Sequence, residues 1–327
     1  MNVMRHLKGS YLRAVARFGF AIFAVLVSAV AASPANAAPT QYPYTLTDAL
    51  NRKVTIKSAP KRIVSLSPAI TETIWMLGAG SSQIGRSDFC DYPPEVSKLK
   101  SVGGIVNANI ESVALMQPDV VLVHQGVPKE IVAKLSTLGI TVVTFETPSM
   151  LWEILDQIED IGVILDCSDK ATDFVGEKNG LLVKMTDSLV NAGYGKPRVF
   201  IGGHSSPYIT SGKGTFIDDL IKLAGGMNIA TMSNFDGIMP ARKYPELSAE
   251  QILLADPQAI VITADLSAEG ARDAARAAVA RDRAFKVTSA VRDGNILVIE
   301  EDMLLRPGPR IFDTLVQISD FIKGIGK

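Results

Sequence analysis

The chain has 327 residues, of which 47% are hydrophobic and 20% charged, and its formal net charge is −1. One hydrophobic core seldom supports so long a chain, so we expect two lobes. Two cysteines are too few for a scaffold built on disulfides, and the lack of excess positive charge argues against a nucleic-acid partner.

Residues 1–37 have the composition of a secretory signal peptide. Basic residues come first, the apolar run FGFAIFAVLVSAVAA follows, and small residues at Ala35 and Ala37 form a cleavage site. The alternative is a retained membrane anchor, but the run is shorter than the roughly 18 apolar residues of a membrane span. We therefore predict cleavage after Ala37 and a periplasmic, acidic mature chain.

The rest of the chain predicts alternating strands and helices. Residues 38–61 contain an alternating pattern that predicts an N-terminal hairpin. Short buried-type strands and amphipathic helices alternate over 62–164 and again over 196–327, whereas 165–195 has helical spacing and no strand signal. We predict an α/β fold: two similar lobes with mostly parallel sheets, joined by one long rigid helix, with a ligand cleft between the lobes.

An internal repeat supports two similar lobes. Residues 111–118 (ESVALMQP) match 250–257 (EQILLADP), each with seven residues from Glu to Pro and each followed by a strand. Upstream of each copy, a strand opens with an arginine, Arg62 or Arg198. We interpret the two halves as copies of one α/β lobe.

No catalytic motif is present in the sequence. The stretch 206–216 contains Gly212-Lys213 but has glycine where a phosphate loop needs Ser or Thr, and no GxSxG or HExxH pattern occurs. This absence weakens an enzymatic function without excluding it. We expect a protein that is not an enzyme and has no catalytic residue.

The candidate binding residues lie where strands end, because ligands of open α/β sheets bind beyond the carboxyl ends of the strands. His124 and His204 each close a predicted strand, one in each lobe, and are the two histidines left after signal removal. They are either axial ligands of a bound metal or ordinary loop residues. Four aromatic side chains in turns form either a stacking surface or local packing: Phe89, Tyr92, Tyr208 and Tyr244.

The two cysteines allow two arrangements. Cys90 lies in the loop that contains Asp91, Tyr92 and Pro93, and Cys167 lies at the start of the predicted inter-lobe helix. In an oxidising periplasm they are candidates for a disulfide, whereas a free Cys90 in the pocket is equally compatible with the sequence. Sequence does not give the distance between them.

Several motifs in the same order resemble the periplasmic binding proteins of ABC importers for vitamin B12 and iron chelates. They are RIVSLSPAITETIWMLGAG, GRSDFCDYPPEV, NIESVALMQPDVVLV, TSGK, YPELSAEQILLADPQAIVI and RPGPRI. The resemblance implies a monomer that holds a cobalt or iron chelate between its lobes and delivers it to a membrane permease with its ATPase. It implies no intrinsic cofactor.

The resemblance also assigns roles to single residues. Glu111 and Glu250 match the glutamates that dock into the permease, and both also suit the positive end of a helix dipole. Phe89 matches an aromatic pocket residue and Tyr244 a tryptophan. Asp302 and Arg306 fall in the loop that reaches the ligand.

The chain departs from the cobalamin-binding members at two positions. His124 and the segment 103–105 each replace a tryptophan, which leaves room for a different macrocycle or for His124 to approach a bound metal. We expect a corrinoid first, and haem or a ferric siderophore as the alternative. A cofactor-handling enzyme with a catalytic Cys90, or a ligand sensor, would use the same cleft.

Overall fold

The computed structural model describes residues 38–191, 195–232 and 242–325, and these belong to one compact unit. The predicted signal peptide, 1–37, lies outside the described residues, as do 192–194, 233–241 and 326–327. Among the helices of the described ranges, none is both long enough and apolar enough to cross a lipid bilayer.

The N-terminal lobe is a five-stranded sheet preceded by the predicted hairpin, in which β1 (Tyr44–Thr47) and β2 (Lys53–Ile56) pair antiparallel. The sheet strands are β3 Ile63–Ser65, β4 Gln83–Arg86, β5 Lys100–Ser101, β6 Val120–His124 and β7 Val142–Phe145. Their order is β5-β4-β3-β6-β7, and every neighbouring pair is parallel. Helices cover the sheet: α1 Pro68–Met76, α2 Ile110–Leu115, α3 Lys129–Thr137 and α4 Leu151–Ile164. Strands β6 and β7 consist mostly of apolar residues and are almost wholly buried, which is typical of parallel strands covered on both faces.

One long helix, α5 (Ser168–Asn191), leads from the first lobe to the second. Its 24 residues span about 36 Å at 1.5 Å per residue. The prediction of a helix within 165–195 is therefore confirmed over 168–191.

The C-terminal lobe is built on a smaller parallel sheet. Its strands are β8 Arg198–Gly202, β10 Met227–Asn228, β12 Ala259–Ala264 and β13 Ile296–Glu300, in the order β10-β8-β12-β13. A second, two-stranded antiparallel sheet pairs β9 (Tyr208–Ile209) with β11 (Glu246–Leu247). The helices are α6 Phe216–Leu223, α7 Ala249–Ala255, α8 Ala271–Arg281, α9 Ser289–Arg292, α10 Glu301–Leu305 and α11 Ile311–Gly324. The α/β prediction with two parallel-sheet lobes is confirmed.

One hydrophobic core spans the two lobes, and each lobe also contains a buried cluster of its own. A single cluster of buried residues contains Ile154 of α4, Val175 of α5 and Phe312 of α11. The rings of Phe174 and Phe312 meet edge to face, with centroids 6.1 Å apart. Hinge opening would expose this shared apolar surface to water, so the packing favours a fixed relation between the lobes.

Candidate functional site

The carboxyl ends of the two parallel sheets face each other. The loop after α10, the helix that follows β13, lies against the start of α1, which follows β3. At their contact, a methyl group added to Gly308 would lie 3.3 Å from both Cα and Cβ of Ala69. A second contact joins the lobes where the backbone N–H of Leu151, at the start of α4, donates to Asp219 of α6 at 2.9 Å. Ligands of α/β sheets bind at such strand ends, so the predicted cleft lies at this junction.

A network of charged side chains crosses this junction. Arg306, after α10, donates to Asp91 of the N-terminal lobe at 2.7 Å and pairs with Asp302 of its own lobe at 2.6 Å. It also donates to the backbone carbonyl of Phe89 at 3.2 Å. We call the whole network the cleft charge cluster; it comprises Glu72, Asp91, Asp302, Arg306 and Arg310.

Glu72 is the buried centre of the cleft charge cluster. Its side chain is 3% exposed and accepts from Arg310 at 2.6 and 2.9 Å and from Arg306 at 3.2 Å. The Arg310 guanidinium also stacks on the ring of Tyr92, 3.9 Å from the centroid. A buried carboxylate needs such partners, because an unpaired buried charge is strongly destabilising.

The cluster contains three carboxylates and two guanidinium groups, so it carries one more negative than positive charge at neutral pH. Burial raises the pKa of Asp302, Arg306 opposes that effect and the nearby Asp91 adds to it. Sequence reasoning identified Asp302 and Arg306 but missed Glu72, Asp91 and Arg310. Glu72 carried a signal: it is a charged residue in an otherwise apolar or uncharged helix, which implies a buried partner.

Three of the four predicted aromatic residues lie exposed near the strand ends. Phe89 is 55% exposed, and its ring edge would lie 3.5 Å from a methyl group at Gly104. Tyr92 and Tyr244 are also exposed. Their exposure leaves apolar surface for a ligand, except on the face of Tyr92 that Arg310 covers, and a shared stacking surface stays a prediction.

The prediction that Tyr208 belongs to this surface is wrong. Tyr208 lies in strand β9 and is 2% exposed. Its ring packs edge to face on Phe285 at 5.4 Å, and its hydroxyl donates to Asp282 at 2.7 Å. Strand pairing points the ring into the core of the C-terminal lobe, where it is a packing residue.

His124 has no free ring nitrogen in this structure. Nδ1 lies 2.9 Å from Ser67 Oγ, and Nε2 lies 2.9 Å from Gln157 Oε1. The amide nitrogen of Gln157 donates to the carbonyl of Glu146, so its oxygen faces the histidine and accepts from Nε2–H. Nδ1 is then the acceptor for the Ser67 hydroxyl. Burial lowers the pKa of His124, which keeps the ring neutral.

This arrangement disfavours His124 as an axial metal ligand, because coordination would break one of two satisfied hydrogen bonds, and ligation by His124 stays a prediction. Its role here is to tie the end of β6 to the start of α1. His204 lies half-buried in the loop after β8, and axial ligation by His204 stays a prediction. Within residues 38–191, 195–232 and 242–325, no three His, Cys, Asp or Glu side chains form a group able to hold a metal ion.

Of the two arrangements that the sequence allows, the structure contains no disulfide, since both cysteines are free thiols. Cys90 Sγ lies 3.2 Å from Ser87 Oγ beyond the carboxyl end of β4, whereas Cys167 Sγ contacts the carbonyl of Leu165 at 3.4 Å. Helix α4 runs back from the end of β7, so Cys167 lies toward the opposite edge of the sheet. Burial raises the pKa of the Cys90 thiol, and its full burial argues against a catalytic nucleophile.

Glu111 and Glu250 occupy equivalent places in the two lobes. Each is the exposed second residue of a helix, α2 or α7. Asn109 and Ser248 cap these helices by accepting a backbone N–H at 2.8 and 3.2 Å. Each helix precedes a strand and runs opposite to it, so both carboxylates lie on the cleft side of their sheets. The pKa of Glu250 is lowered by its own backbone N–H and by the Ser248 hydroxyl, which keeps it ionised.

The arginines of the internal repeat anchor these two helices. Arg62 donates to the carbonyl of Met116 at 2.6 Å, just after α2. Arg198 donates to the carbonyl of Ala255 at 2.7 Å, at the end of α7. An arginine at the equivalent position of each lobe thus holds the end of the helix that carries the exposed glutamate.

Comparison with known proteins identifies the family. The family described as periplasmic binding protein matches residues 63–303. The chain belongs to the periplasmic binding protein family. Members of this family are binding proteins rather than enzymes, which agrees with the absence of a catalytic motif.

Three known proteins show what this family member resembles. A cobalamin-binding protein of Halobacterium salinarum is 30% identical over 281 residues, which cover 85% of this chain and 74% of the relative. The structure of a periplasmic vitamin B12-binding protein of Vibrio cholerae matches with a TM-score of 0.67 and 28% identity, covering 82% of this chain and 99% of the other. A periplasmic haem-binding protein of Pseudomonas aeruginosa matches with a TM-score of 0.69 and 27% identity, covering 81% and 94%.

Proposed function

We propose that this protein is the periplasmic solute-binding component of an ABC importer that captures a corrinoid and delivers it, unchanged, to a membrane permease with its ATPase. The observation that carries the proposal is the pair of exposed glutamates on equivalent helices, one on the cleft side of each lobe. A cleft between two lobes, flanked by one exposed glutamate on each lobe, suits a protein that holds a ligand between its lobes and contacts a permease through both of them. The similarity to cobalamin-binding relatives supports a corrinoid as the cargo.

The geometry gives each part a task in this function. Exposed Phe89 and Tyr244 supply apolar faces for a macrocycle, while the cleft charge cluster holds the loops of both lobes together. The shared core keeps the cleft preformed, which lowers the ordering cost of binding. The protein acts as a monomer without a cofactor of its own, and any metal arrives inside the chelate.

Haem is the second candidate cargo, because a haem-binding neighbour matches this chain as well as a vitamin B12-binding one does. A cofactor-handling enzyme that uses Cys90 has no support from the buried thiol. A ligand sensor shares the fold, and only the docking partner separates it from an import protein. The periplasmic location depends on residues 1–37, whose removal mass spectrometry of the secreted protein would establish.

The cargo is tested by native mass spectrometry of the mature protein with cyanocobalamin, cobinamide, haem and several ferric siderophores. We expect one corrinoid bound per chain and recovered chemically intact. Chemical conversion of the ligand, or retention of haem alone, would overturn the corrinoid proposal. Mass identifies the bound ligand directly, whereas fluorescence would depend on Trp75, which donates to Gln83 and lines a cavity beside Glu72, Tyr92 and Arg310.

Docking is tested with Glu111→Lys and Glu250→Lys in vesicles that contain the permease and ATPase. Both variants should lose transport while ligand affinity stays unchanged, since the carboxylates lie on exposed helix ends. Glu130→Lys is the matched control, because Glu130 is also the exposed second residue of a helix, α3, but lies outside the repeat. Equal loss of transport in the control would contradict specific docking through Glu111 and Glu250.

A further inference from the structure

The positive charge of Arg306 is already paired with acidic side chains of the protein itself. Its guanidinium contacts Glu72 at 3.2 Å, Asp91 at 2.7 Å, Asp302 at 2.6 Å and the carbonyl of Phe89 at 3.2 Å. The side chain is only 11% exposed. A guanidinium surrounded in this way has little capacity left for an incoming anion.

The exposed part of the cleft charge cluster is negative. Asp91 is 57% exposed and Asp302 39%, whereas Glu72 and both arginines lie deeper. Ionised carboxylates only accept hydrogen bonds, so this edge of the cleft offers acceptors to a ligand. A carboxamide can donate its N–H groups to them. A carboxylate can donate nothing and meets a like charge.

We propose that the ligand edge seated against the cleft charge cluster carries uncharged carboxamides, and that Asp91 and Asp302 are specificity determinants that reject carboxylates there. The inference rests on the proposed function and deepens it, because it names the chemistry of the ligand edge. Corrinoids carry peripheral carboxamides, whereas haem carries two propionates. The cluster therefore discriminates between the two candidate cargoes by charge.

Cationic side chains elsewhere in the two lobes mean that the inference applies only to the edge of the cleft formed by the cleft charge cluster. Arg86 in the N-terminal lobe donates to the backbone carbonyls of Ser87 and Leu99 at 3.0 and 3.3 Å. Arg242 and Lys243 are exposed beside Tyr244 in the C-terminal lobe and remain able to meet an anion. A ligand with a carboxylate at one end only would turn that end away from the cluster, so the test ligand must carry carboxylates all round.

The test compares two corrinoids with the same cobalt-containing ring: cobinamide, with its peripheral amides, and cobyrinic acid, with carboxylates in their place. Calorimetric titration of the mature protein at low ionic strength should show cobinamide binding tighter by tenfold or more. Asp91→Asn keeps an oxygen acceptor for Arg306 and removes one negative charge. It should raise the ratio of cobyrinic acid affinity to cobinamide affinity about tenfold. Asp293→Asn, at an exposed acid before β13 and so at the opposite end of the C-terminal sheet, should change neither affinity.

Circular dichroism verifies that Asp91→Asn is folded, and Asp302→Asn is the second variant if it is not. Equal affinity of the wild type for both corrinoids would overturn the inference but leave the proposed function standing. An unchanged affinity ratio in a folded Asp91→Asn or Asp302→Asn protein would also overturn it. If neither corrinoid binds the wild type, the proposed function fails, and the inference fails with it.

Discussion

Replacing Arg310 with methionine removes two of the three hydrogen bonds that hold the Glu72 carboxylate. The carboxylate is 3% exposed, so water cannot replace the lost donors. Arg306 stays as a partner at 3.2 Å. The variant therefore tests whether the cleft charge cluster is a structural tie between the lobes.

The expected cost follows from the burial of the pair. Breaking a buried ion pair by removing one partner costs about 3–5 kcal/mol. Because Arg306 still pairs with Glu72, we expect Arg310→Met to cost about 3 kcal/mol, at the lower end of this range. The double variant Glu72→Leu/Arg310→Met should recover most of the loss, because it leaves no unpaired charge. Tyr92→Leu, which removes only the stacking on Arg310, should cost about 1 kcal/mol.

The assay is urea denaturation of the mature proteins, followed by circular dichroism at pH 7.5. The comparison of Arg310→Met with the double variant measures the cost of leaving Glu72 without Arg310, since both contain the same methionine, and Glu72→Leu alone completes the double-mutant cycle. A loss below about 1 kcal/mol in Arg310→Met would refute the structural role of the pair. A double variant less stable than the single one would refute the account of an unpaired buried charge.

Three further predictions concern packing and pH. Gly308→Val should lose about 1–3 kcal/mol on urea denaturation, because the added carbon meets Ala69 at 3.3 Å, whereas Gly126→Val, with open space around it, should lose much less. Phe312→Ala should lose about 3–5 kcal/mol and still unfold in one transition, since Phe312 is buried in the core that both lobes share; separate transitions for the lobes would contradict that shared core. Burial lowers the folded-state pKa of His124, so its contribution to stability is complete above about pH 6.5 and is lost as the pH falls toward the folded value. His124→Gln should therefore flatten the fall in urea midpoint between pH 7.5 and 5, and an identical fall in both proteins would disprove it.

Periodicity and the repeat predicted most of the fold. Buried runs such as those of β6 and β7 are recognisable because parallel strands are covered on both faces. The matched spacing from Glu111 and Glu250 to their prolines anticipated two equivalent helices, and the structure adds Arg62 and Arg198 as their anchors. These features depend on residues that lie close together in the chain, so local sequence patterns predict them.

The candidate site was predicted less well, because its contacts join residues far apart in the chain. Arg306 and Asp91 are 215 residues apart, and no local pattern pairs them. Tyr208 was expected in a turn but lies in a short strand whose pairing buries its ring. His124 was correctly placed at a strand end, yet its role depends on Gln157, which a sequence pattern does not align with it.

Calorimetric titration of the mature protein with cyanocobalamin tests the central claim most directly. We predict saturable binding with one ligand per chain and release of cyanocobalamin with an unaltered visible spectrum. No binding of cyanocobalamin, under conditions in which haem saturates the same protein, would contradict the claim that this periplasmic binding protein carries a corrinoid.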